Sequence, residues 1–69
     1  MKAVNTNKPF AVCMRHNVFN LADRRKARGA IARIAPNQFA SERQARDLIG
    51  TLSHDVQPLL DVSRLVGFA

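Results

Sequence analysis

Apolar positions recur at helical spacing twice in the middle of the chain. Ala27, Ala30, Ile31 and Ile34 form one set, and Ala45, Leu48, Ile49 and Leu52 form another. Steps of three and four place each set on one face of a helix. Asn20 is a suitable N-cap for the first helix, and Asp23 complements its positive end. Pro36 disfavours helical geometry in the residue before it, so the spacing predicts a helix over residues 20–35. "PNQFA" then reads as a turn. Ser41 opens "SERQ", a Ser-x-x-Gln capping box, and a second helix is predicted over 41–52.

Val56, Leu59, Leu60, Val62, Leu65 and Val66 suggest a third helix over 55–66, with Pro58 tolerated in its first turn and Gly67 placed as a C-cap. Phe68 is placed to fold back onto its last turn. Projected at 100° per residue, its apolar residues cover about 220° of the circumference. So broad a surface belongs to a helix with neighbours on two sides. Leu59, Val62, Leu65 and Val66 are accordingly the expected dimer or partner interface, and a homodimer is expected.

Residues 9–14, "PFAVCM", stay open between two readings. Phe10, Val12 and Met14 alternate as in a strand, whereas Phe10, Met14 and Val18 recur as in a helix. Extended chain is slightly favoured. The expected fold is therefore mainly α: a single domain over residues 1–69, with a loose terminus at 1–8, three helices, and a short N-terminal strand or extended segment. A strand followed by two helices also fits the order of a dimeric ribbon-helix-helix layout. There the outward ribbon residues would be Ala11, Cys13 and Arg15, or Phe10, Val12 and Met14. Of these only Arg15 suits a base edge, so sequence reading by a ribbon is not expected.

Charge changes the picture more than composition does. The net charge is +6 over 69 residues. Residues 1–35 carry eight Lys or Arg against Asp23 alone, while residues 36–69 carry three Arg against four acids. A polarised molecule of this kind is steered toward anionic partners. Within the first helix Arg24, Arg25, Lys26, Arg28 and Arg33 spread over roughly 200° around Gly29 and Ala32. The small residues would let a phosphate backbone approach. Arg15, Arg24, Arg25, Lys26, Arg28 and Arg33 are thus the candidate contacts to nucleic acid, DNA or RNA, or to an acidic protein surface.

Other chemistry is poorly supplied. Cys13 is the sole cysteine, which excludes an internal disulfide and suits a reducing, cytoplasmic setting. Cys13 and His16 are too few for a metal site, for which three or four ligands are usual. Ser53, His54 and Asp55 adjoin in sequence, yet a triad is made by geometry rather than adjacency. The glycines stand singly, so no phosphate loop is present. No catalytic residue, metal or cofactor is expected. No apolar run approaches the roughly 20 residues that span a bilayer, and no membrane partner is expected. The sequence points to a small non-enzymatic regulator that binds nucleic acid through phosphates. The alternative is an adaptor or inhibitor that covers an acidic or apolar site on a larger protein.

Overall fold

The computed structural model describes residues 7–65. Over them the chain forms β1 (Phe10–Met14), α1 (Leu21–Ala32), α2 (Glu42–Gly50), one 3-10 turn (Gln57–Leu59) and β2 (Leu60–Arg64). Among the described residues no helix is long and apolar enough to cross a membrane.

Both helices start where their caps place them. The Asn20 side chain accepts from the Ala22 and Asp23 N–H groups, and Ser41 Oγ accepts from Gln44 N–H. Gln44 returns the bond one residue earlier than a capping box would: its Oε1 accepts from Ala40 N–H at 3.2 Å. Each helix stops short of the expected end because its last turn tightens. Arg33 and Ile34 donate to Ala30 and Ile31, and Thr51 and Leu52 donate to Leu48 and Ile49. These three-residue steps satisfy the terminal groups with 3-10 geometry. Gln57 Nε2 then caps α2 from outside, donating to the Gly50 carbonyl at 3.3 Å and to the Leu52 carbonyl just beyond the helix at 2.8 Å.

The third helix is absent, and the expectation of a mainly α three-helix domain is corrected accordingly. Residues 60–64 form β2 and pair antiparallel with β1, with Val12 opposite Val62 and Met14 opposite Leu60. Two physical reasons decide this. A lone strand leaves its backbone donors and acceptors without partners, so β1 requires another strand. In addition, "LDVSR" alternates: Leu60 is buried and Val62 packs on the core, while Asp61 and Ser63 fall on the opposite face. The partner strand comes from the same chain, not from a second copy as a ribbon-helix-helix layout demands. The wide-faced helix on which the homodimer expectation rested is likewise gone. Leu59 lies in the 3-10 turn and Val62 in β2, both packed against the core. Leu65 follows β2 and is half-buried. Val66, the expected Gly67 cap and Phe68 lie outside the described residues, as does most of the expected loose terminus.

β1 is held on both edges. On the side away from β2, Phe10 exchanges backbone hydrogen bonds with Phe39 at 3.1 and 2.7 Å. Two residues on, the Asn37 side chain replaces a strand altogether. Val12 N–H donates to Asn37 Oδ1 at 2.8 Å, and Asn37 Nδ2 donates to the Val12 carbonyl at 2.9 Å. A carboxamide offers one acceptor and donors in the same plane, so it can mimic a peptide unit. The outer edge of β2 is blunted by side chains as well: Arg15 Nε donates to the Leu60 carbonyl, and Val62 N–H donates to Asp61 Oδ1. Occupied edge groups cannot template pairing with another chain.

The core is small and aliphatic. Val12 (2% exposed) and Leu60 (1%) meet Ala27 of α1, Ala45 and Ile49 of α2, and Val56. Ala27 and Ala45 are both fully buried, so the faces that α1 and α2 turn to the core carry small side chains there. Met14, Ile31, Ile34, Phe39, Leu48 and Leu52 close the periphery.

Candidate nucleic-acid interface

The buried arc of α1 fixes where its cations go. Ala27 is fully buried and Ala30, Ile31 and Ile34 partly so, which turns Arg24, Arg25, Lys26, Arg28 and Arg33 to the surface. All five are exposed. They do not form one uniform field. Arg25, Lys26 and Arg33 stand along a groove, whereas Arg24 and Arg28, one turn apart, lie on the opposite flank of the helix.

Their electrostatic states differ too. Lys26 Nζ lies 3.0 Å from Asp55 Oδ2, so this cation is already engaged. The hydrogen bond from Lys26, with a second from Ser53, holds the Asp55 carboxyl below its usual range. Both partners are well exposed, so the pair contributes little to stability. Arg24, Arg25, Arg28 and Arg33 have no ion-pair partner among the described residues. The remaining candidate, Arg15, is not brought to this surface. It donates to Leu60 and lines a separate hollow with Arg46 and His54. Arg46 is itself bonded to Glu42 at 2.9 Å, which above all raises its pKa, and contacts Asp61 at 3.4 Å.

The groove beside α1 has a volume of about 830 Å³. Ile34, Phe39, Leu48, Leu52 and Val56 form its apolar lining, with Arg25, Lys26, Arg33 and Asp55 among the charged residues beside them. Gly29 opens onto this space, and a Cβ added there would meet nothing within 4 Å. Gly29 has no positive φ and sits inside a helix, where its conformational freedom is only a cost. Gly29→Ala is therefore expected to stabilise the fold by about 1 kcal/mol. For a chain of this size that raises the melting temperature by roughly 4–8 °C in a circular dichroism melt. A lower melting temperature would contradict the open surface assigned there.

Two residues at the start of α1 were not among the sequence-derived candidates. Phe19 is 82% exposed and Leu21 63% exposed, the large hydrophobic side chains most open to water among the described residues. The signal for Leu21 was available: at 100° per residue it lies roughly 120° from Ala27, off the apolar arc. Nothing in the local pattern marked Phe19, because the segment before Asn20 has no periodicity to place it. Comparison with protein-family models, with curated proteins and with solved structures returns no match.

Proposed function

We propose that this chain is a small basic regulator that binds nucleic acid, chiefly through phosphate contacts from α1. The observation that carries the reading is the state of four guanidinium groups: Arg24, Arg25, Arg28 and Arg33 are exposed on one helix and unpaired among the described residues. Guanidinium is the side chain best matched to phosphate, planar and permanently charged. Arg24 and Arg28 on one flank and Arg25 and Arg33 on the other cover about 14 Å of helix rise, a length over which each strand of a duplex presents a phosphate about every 3.4 Å of its axis. Gly29 and Ala32, exposed between them, keep bulk out of the way.

Fluorescence anisotropy with labelled nucleic acid at rising salt tests the proposal. Each phosphate neutralised releases counterions, so four contacts give a log–log slope of about −3 to −4. Failure to bind at low ionic strength, or an affinity indifferent to salt, would refute it.

The apolar floor of the groove favours a second reading, an adaptor that takes an acidic, partly apolar segment of another protein. Polyglutamate used as competitor in the same titration separates the two. Displacement of the nucleic acid at matched charge concentration supports the adaptor; resistance to it supports phosphate recognition.

A further inference from the structure

We infer that the preferred nucleic acid is single-stranded, with Phe19 as a platform on which a base stacks beside the α1 arginines. The inference rests on the phosphate-binding reading and adds a substrate class to it. Phe19 leaves 82% of its surface in water and Leu21 63%, and the two flank the Asn20 cap at the start of the basic helix. Leu21 shares the solvent face of α1 with Arg25 and Arg28. An exposed aromatic ring next to unpaired cations is the arrangement by which single strands are held: arginines track the backbone while a ring covers an unstacked base. In an intact duplex the base faces are already stacked on one another, so the ring has nothing to cover.

The size of the patch argues against a folded protein as its occupant. A stable protein interface takes about 800 Å² from each partner, several times what one Phe supplies. A base needs only one ring. Charge complementarity also favours a polyanion, since Arg24, Arg25 and Arg28 follow within nine residues of Phe19 and Asp23 is the only acid on α1.

The test compares a labelled oligothymidylate with a duplex of equal length. The single strand is expected to bind more tightly, and Phe19→Ala to weaken it about 5- to 150-fold while leaving duplex binding unchanged within about twofold. Phe19 is on the surface, so the variant should keep the circular dichroism spectrum and melting temperature of the parent. The chain contains no Trp or Tyr. Phe19→Trp therefore introduces a unique fluorophore, which the single strand should quench and the duplex should not. Equal affinity for both forms, or full single-strand affinity in Phe19→Ala, would overturn the inference and leave phosphate binding standing. Absence of binding to either probe would remove both. Self-association or attachment to anionic phospholipid vesicles that disappears in Phe19→Ala, without an effect on oligothymidylate, would assign the ring to another contact and also overturn it.

Discussion

Asn37→Ala should lower the unfolding free energy by about 2 to 4 kcal/mol, although the side chain is only half-buried. What it removes is the second edge of β1. Val12 is 2% exposed, so neither its N–H nor its carbonyl can turn to bulk water once the carboxamide is gone. Each buried group left without a partner costs about 1–3 kcal/mol, more than an average hydrogen bond contributes when made. At roughly 0.05–0.15 kcal/mol per residue, a chain this short holds only a few kcal/mol in reserve, so the loss is a large fraction of the total. Asn37→Asp sharpens the argument. The carboxylate keeps an acceptor for Val12 N–H but sets a second oxygen against the Val12 carbonyl where Nδ2 now donates at 2.9 Å. Protonation would restore a donor, so the neutral carboxyl is favoured in the folded state and its pKa there is raised. The sign follows: the destabilisation should be smallest in acid and grow as the pH rises through the carboxyl range. Urea titrations followed at 222 nm across pH measure both effects. Gln38→Ala is the control, since Gln38 makes no side-chain hydrogen bond among the described residues; its stability should stay within about 0.5 kcal/mol of the parent. An Asn37→Ala midpoint equal to that of Gln38→Ala would show that the clamp is not needed.

The clamp also marks the limit of what could be read from the chain. α1 and α2 were legible because their information is local: Asn20 and Ser41 cap within three residues, and the apolar sets repeat within two turns. β2 was not. The six apolar residues between 56 and 66, of which β2 holds Leu60 and Val62, satisfy a helical template as well as an extended one, and only the need of β1 for a partner decides between them. That need acts across 46 to 54 residues, from Met14 with Leu60 to Phe10 with Arg64. Asn37 looked like a turn residue for the same reason, since its bond to Val12 spans 25 positions. At the candidate interface the exposure of the five α1 cations followed from the position of Ala27 and Ile31. The neutralisation of Lys26 by Asp55 did not, because the fold alone brings the chain after α2 back to α1. The same limit hid the placement of Arg15, which spends its guanidinium on the edge of β2 instead of joining the basic face.

Replacing Arg24, Arg25 and Arg28 together by alanine should cost about three orders of magnitude in nucleic-acid affinity at 50 mM salt. Each lost contact removes about 0.7 to 0.9 from the salt slope, and at this ionic strength that amounts to roughly a factor of ten per contact. The slope itself should shrink to about −1, the residue of Arg33 alone. The fold should not suffer, because none of the three has an ion-pair partner among the described residues and alanine is the best helix former. An unchanged or higher melting temperature would establish that the loss is one of recognition. General attraction by a positive molecule is the competing explanation, since the triple change takes the net charge from +6 to +3. Lys8, Arg43 and Arg64, exposed away from α1 and likewise without an ion-pair partner among the described residues, provide the matched comparison with the same final charge. If the α1 triple variant loses binding and the second triple variant loses only a small part, contact with phosphate is local to α1. Equal losses would mean that net charge alone attracts the ligand, and the basic helix would then be no more than a solvated surface.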